Sequence, residues 1–170
     1  QWNLAVQDRL AAEQPYDLVL ASHYTAVRAT QIEGQSIAKT VAGFKAAWEP
    51  LQKRGSTIVA IRDGVNMDKQ MRHCWETSVY DASQCLMTEA DAFITDLAQK
   101  AASSPPGAVT MDFTDLYCQN GKCPAKIGDV YVYRDNSHIS LAFSQGMARE
   151  WVKRLTELGV ELPKISGLEN

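Results

Sequence analysis

No stretch of this chain approaches the roughly 18 uninterrupted apolar residues of a membrane span, so none is expected within it. Basic charge is not in surplus either: 17 Lys and Arg stand against 20 Asp and Glu, a net charge of −3. With a pI near 5.6 and no basic stripe, nucleic acid is not an expected partner. G-x-G-x-x-G and P-loop patterns are absent, which removes the main sequence signals for nucleotide binding. There is no G-x-S-x-G elbow, no internal repeat and no low-complexity tract. The cysteines lack C-x2-C spacing and nearby His pairs, so they are not expected to hold zinc.

What is present is a composition 45% hydrophobic and 22% charged over 170 residues, the profile of one folded domain. The expected layout is a domain over 1–160 and a tail over 161–170. Cys74, Cys85, Cys118 and Cys123 form two sequence-local pairs. Asn120-Gly121 is a turn signal that brings Cys118 and Cys123 together. Sequence leaves other connectivities open, and the favoured pairing is Cys74–Cys85 with Cys118–Cys123. Each bridge would close a small loop worth roughly 2–3 kcal/mol. Two such bridges point to an oxidising compartment outside the cytoplasm.

Hydrophobic periodicity alternates between helix and strand. Trp2, Val6 and Leu10 recur at helical spacing, and Pro15 ends that element. Tyr16–Ala21 is a short apolar run of strand length. From Ser36 to Lys53 the residues Ile37, Val41, Phe44, Trp48 and Leu51 mark one helix face, with Pro50 as a point of distortion and Gly55 as a stop. Thr57–Ile61 is β-branched and reads as a buried strand. Arg62 to Cys85 shows no period and reads as a long loop pinned by its cysteines. Thr88 and Asp91 resemble an N-cap with an acidic first turn, opening a helix with Phe93, Ile94, Leu97 and Ala101 on its core face. Ser103–Gly107 breaks that helix before a strand over Ala108–Phe113. Val130–Tyr133 is a short strand or lead-in. Ser140 opens a last helix in which Phe143, Met147, Trp151, Leu155 and Leu158 share a face. Alternating helices and strands imply an α/β domain with a parallel sheet. Three clear strands make a narrow sheet beside the usual five or so, so one or two further strands are expected upstream of Gln1.

The chemically informative stretch is Tyr133-Arg134-Asp135-Asn136-Ser137-His138-Ile139-Ser140. Asp135 precedes His138 by about one helical turn, so both side chains can share a face at the mouth of the last helix. A carboxylate there can accept from Nδ1–H and leave Nε2 as a general base, the orienting half of a Ser-His-Asp triad. Taken alone, D-x-x-H is short and common, and the plainer reading is that Asp135 caps the helix at Ser137–Ser140.

This stretch resembles the C-terminal block of the SGNH (GDSL-type) hydrolases, in particular the SGNH domains fused to acyltransferase family 3 membrane proteins. Leu20-Ala21-Ser22-His23-Tyr24 is similar to their third block, with Tyr24 where tryptophan is commoner. Val59-Ala60-Ile61-Arg62-Asp63-Gly64 fits their next strand, and Asp112 to Pro124 resembles their cysteine-bridged turn. The resemblance runs nearly from Gln1 to Leu158. It implies a flavodoxin-like three-layer α/β fold with a parallel sheet lacking its first strand or strands. It also implies Asp135 and His138 as catalytic residues, with no metal or organic cofactor required. The implied activity is transfer of an acyl group, acetyl by expectation, to a hydroxyl of a cell-envelope glycan. The acyl donor would be delivered by an acyltransferase family 3 domain, on the extracytoplasmic side.

The family nucleophile sits in a Gly-Asp-Ser block that this chain lacks. Gly128-Asp129 is followed by Val130, and Gly34-Gln35-Ser36 lies in a polar loop. The serine is therefore expected upstream of Gln1. A carbohydrate acetylesterase of the same fold and a non-catalytic glycan-binding or docking module are the alternatives. Arg134, Ser22 and Tyr24 are candidate substrate-binding residues. Ser22 follows a strand, where a nucleophile could sit, but reads first as a hydrogen-bonding turn residue; Arg134 reads equally as the partner of a neighbouring carboxylate. His23 and His73 read as surface histidines and Trp48 and Trp151 as core, while Asp63 and Asp68 are candidate site-supporting or structural carboxylates, although loop acids are usually just solvated. Trp75 and Tyr80 are placed to stack on a sugar ring.

Overall fold

The computed structural model describes residues 2–25, 36–78, 82–105, 107–135 and 137–160. The tail over 161–170 and Tyr80 lie outside them. In chain order the elements are α1 (Trp2–Ala12), β1 (Leu18–Ala21), α2 (Ile37–Lys53), β2 (Thr57–Ile61), α3 (Lys69–Thr77), β3 (Leu86–Thr88) and α4 (Glu89–Ala92). There follow α5 (Leu97–Ala102), β4 (Val109–Met111), α6 (Thr114–Tyr117), β5 (Lys122–Pro124), β6 (Lys126–Ile127), β7 (Val130–Tyr131) and α7 (Leu141–Glu157). The chain divides into two compact units, one of residues 1–63 with 95–112 and one of residues 64–94 with 113–170.

The first unit carries a three-stranded parallel sheet in the order β1-β2-β4, as the α/β pattern implies. β2 is its central strand because Ile58, Val59 and Ala60 have no polar side chain to solvate, and all three are buried. Leu18 pairs with Thr57 and Val59 with Val109, so all three strands end on the same edge. Ser36 caps α2 by accepting from Lys39 N–H at 3.2 Å. The helix continues through Pro50 to Lys53, and Gly55 ends it at φ +96°, a conformation open to glycine. Trp48 of α2 packs with Ile58, Ala60, Ala98, Ala101 and Ala102, with Val41, Phe44 and Leu51 around them. The three alanines of α5 let that helix approach closely. Ile37, expected on the core face, is exposed at the first turn of α2.

The second unit differs most from the sequence expectation. Within the stretch expected to be a loop, Asp68 Oδ1 accepts Met71 N–H at 2.6 Å and caps the nine-residue helix α3. Only Met71 of α3 is buried, so the helix has no apolar period to betray it. The single helix expected after Thr88 is two. Thr88 does cap α4, but Phe93 turns extended and Asp96 starts α5 afresh, accepting from Ala98 and Gln99 N–H.

Both favoured disulfides form. Cys74–Cys85 ties α3 to the segment before β3, and Cys118–Cys123 closes a turn with Asn120 and Gly121 at φ 51° and 72°. β3 pairs antiparallel with β5, and β6 with β7. Ser140 caps α7 through Phe143 N–H. Trp151 lies 4.6 Å from Phe113, centroid to centroid, with Arg154 on the Phe113 ring and in an ion pair with Asp115. Leu158 falls beyond the helix as its C-cap and is exposed, not core.

Candidate active site

The loop bearing Asp135 and His138 is closed at its base by backbone. Val132 N–H donates to Ala125 O (2.9 Å), Ser140 N–H to Val132 O (2.8 Å) and Arg134 N–H to His138 O (2.9 Å). Tyr133 and Ile139 form a β-bridge. Val132 and Tyr133 are the apolar anchors beneath, the latter 2% exposed. The Tyr133 hydroxyl has no partner among the described residues, and burial pushes its phenol up.

Inside that base, Asp135 Oδ1 accepts the N–H of Ser137 (3.1 Å) and of His138 (2.9 Å), the side-chain-to-backbone pattern of an Asx turn. The turn folds His138 back, and its Nδ1 lies 2.8 Å from Oδ1 and 2.9 Å from Oδ2. The expected carboxylate–imidazole pair is therefore present, but its geometry is not a helical turn. α7 begins only at Leu141, and Ser140, not Asp135, caps it. The Asp135 oxygens accept from the backbone of a tight loop instead of capping a helix.

Hydrogen bonds from Ser137 N–H above all, then from His138 N–H, the His138 ring and Arg134, hold the Asp135 carboxyl far below the usual carboxylate range. An ionised carboxylate can only accept, so Nδ1 of His138 carries a proton, and in the neutral ring Nε2 is left to present a lone pair. The ring is accessible: the His138 side chain is 66% exposed and that of Asp135 39%. Arg134 reaches Asp135 Oδ2 through Nη2 at 3.3 Å and Nε at 3.4 Å. The neighbouring-carboxylate reading of Arg134 is thus the contact formed, although so exposed a pair adds little stability.

Ser22 and Tyr24 belong to the first unit, in the segment that leaves β1, and both are exposed. His23 packs edge-on against Phe44 at 5.2 Å, a structural placement. His73 is exposed on α3, and Trp75 is half-buried on the same helix. Asp68 is the α3 cap already described. Asp63 is not merely a solvated loop acid: it accepts both the N–H and the hydroxyl of Thr25 at 2.7 Å. Thr25 and Asp96, which join it, carried no sequence signal because their partners lie tens of residues away. All cysteines are in disulfides, and among the described residues no three His, Cys, Asp or Glu side chains converge as a metal site.

A family model described as the SGNH domain fused to AT3 domains matches residues 1–153. The chain belongs to that family. No curated protein and no solved structure matches it. Membership agrees with the parallel α/β sheet and places the chain among esterase- and acyltransferase-type domains that occur joined to an AT3 domain.

Proposed function

We propose that this member of the SGNH family is an extracytoplasmic O-acyltransferase domain. In this reading it moves an acyl group, acetyl as the simplest case, onto a hydroxyl of a cell-envelope glycan. The observation that carries the reading is the contact of Asp135 with Nδ1 of His138 in a loop that leaves the ring open. The two disulfides support a site outside the cytoplasm, and the AT3 fusion of the family supports a membrane-borne acyl donor. Among the described residues, no helix is long and apolar enough to cross a membrane.

The chemistry follows from one relay. Nε2 of His138 takes the proton of a serine hydroxyl as its oxygen attacks the acyl carbonyl, and returns that proton to the donor's leaving group. The sugar hydroxyl then attacks the acyl-serine, gives its proton to Nε2, and the serine oxygen departs with it. Asp135 fixes the ring and stabilises the imidazolium formed in both halves. The serine is contributed by a Gly-Asp-Ser block outside this chain. Ser22, Tyr24 and Arg134 are the substrate-binding residues, with Arg134 free to offer Nη1 to an anionic group while Nη2 and Nε face Asp135.

The test is acyl transfer by the protein at its full natural length. Purified His138→Ala protein should lose transfer to glycan by about a thousandfold or more, the scale of losing a triad member. Unchanged transfer would remove the relay and favour a glycan-binding module. Accumulation of free acetate in place of acylated glycan would make water the acceptor and the domain an esterase.

A further inference from the structure

We infer that Asp63 is a positioning residue that holds the segment leaving β1, Ser22 to Tyr24, in a fixed shape for substrate. The inference rests on the reading of that segment as substrate-binding. In open parallel sheets ligands approach the carboxyl ends of the strands. Here β1 ends at Ala21, β2 at Ile61 and β4 at Met111, all on one edge. The residues that follow are Ser22–Thr25, Arg62–Asp63 and Asp112. Arg62 Nη1 meets Asp112 Oδ2 at 2.8 Å, joining the ends of β2 and β4. Asp63 joins the ends of β1 and β2, by a different and more directional device.

Its Oδ2 accepts from Thr25 twice, from the backbone N–H and from Oγ1, each at 2.7 Å. Two donors of one residue on one oxygen fix both the position of that residue and its χ1, and Thr25 is only 5% exposed. Asp63 is itself anchored from beneath: its N–H donates to Asp96 Oδ2 at 3.0 Å, while Asp96 Oδ1 caps α5. A chain of contacts thus runs from α5 through Asp96 and Asp63 to Thr25. Ser22, His23 and Tyr24 span just the gap between Ala21, held in the sheet, and Thr25, held by Asp63. His23 adds its ring contact with Phe44 on the same span. A three-residue bridge tied at both ends has few conformations left to lose on binding, which is what a pre-organised substrate loop requires.

The test uses the full-length protein with an aryl acetate as substrate, together with hydrogen exchange at residues 22–25. Asp63→Asn and Thr25→Val should each speed exchange there by about tenfold and lower kcat/KM by about tenfold. Most of the loss should sit in KM, and the unfolding transition should stay cooperative. Thr25→Ser keeps both donors and should restore both readouts, which a merely space-filling role for Thr25 would not allow. Unchanged exchange in Asp63→Asn would overturn the inference whatever the kinetics, because the clamp would not be holding the segment. Faster exchange with unchanged kcat/KM would overturn it as well. If Tyr24→Ala is then also without effect, the fault lies in the substrate-binding reading of the segment. If Tyr24→Ala does raise KM, the segment binds substrate and the fault lies with Asp63.

Discussion

The unit containing the parallel sheet has none of the four cysteines, and the unit containing the Asp135–His138 loop has them all. The two units also differ in strand length, though each has a 17-residue helix. In the first unit a five-residue central strand lies between two neighbours, and a 17-residue helix lays Trp48, Val41, Phe44 and Leu51 against it. Such elements bury enough aliphatic surface to hold together. In the second unit the strands are two or three residues long and pair only as hairpin-like twosomes, an arrangement that is marginal by itself. Its buried residues, Met71, Met87, Phe113, Tyr133, Met147 and Leu155 among them, come from many short elements and α7, and the two disulfides tie the short elements together.

Those bonds also reach the loop that carries Asp135 and His138. Ala125 N–H donates to Cys85 O, and Ala125 O accepts Val132 N–H. The base of the Asp135–His138 loop is therefore two backbone hydrogen bonds from the Cys74–Cys85 bridge. Cys123, in the other bridge, lies two residues before Ala125. The contrast between units is thus also one of means: the candidate substrate loop is held by long-range side-chain bonds to a sheet edge, and the dyad loop by a local Asx turn on a stapled base.

The largest effect that probes this contrast is a core truncation. Trp48→Ala should cost about 3–5 kcal/mol, read by denaturant unfolding, and hydrogen exchange should show the loss in β1, β2 and β4. Next comes the paired change Cys74→Ser with Cys85→Ser, expected to cost about 2–3 kcal/mol for a loop of this length. Its effect should fall on β3, β5 and residues 132–140 and spare the parallel sheet. Equal loosening of both units on reduction would break the comparison. The smallest effect is a pH dependence. Above the ordinary aspartate range Asp135 is ionised folded and unfolded, so the bonds from Ser137, His138 and Arg134 contribute in full. As pH falls below about 4 the unfolded carboxylate protonates first. The contribution then fades and is gone once the folded carboxyl also takes its proton. Urea unfolding of wild type and Asp135→Asn should therefore differ above the aspartate range, and the difference should shrink as the acid range is entered.

Much of this was legible along the chain. The β-branched run Thr57–Ile61 and the caps Ser36, Thr88 and Ser140 mark their elements by local chemistry, and both disulfides follow from short loops. α3 was not legible, because a helix that buries only Met71 leaves no periodic trace and its cap Asp68 looks like any loop acid. The break at Phe93–Asp96 was hidden for the opposite reason: apolar residues continue at helical spacing across it, while Asp96 offers its own capping oxygens to a new start. In the site, the proximity of Asp135 to His138 was readable from three-residue spacing. The Asx turn that brings it about was not, because helix and turn place the same two residues together.

The sequence by itself determined what short-range chemistry can determine: the alternating elements, the two cysteine loops and the carboxylate–imidazole pair, each made within about a dozen residues. Only the tertiary structure decided which strand is central, that Asp63 reaches back to Thr25, and that the dyad loop rests on Ala125. Those contacts join residues whose separation in the chain carries no pattern, and they exist because packing, not local preference, brings their backbones within hydrogen-bond reach.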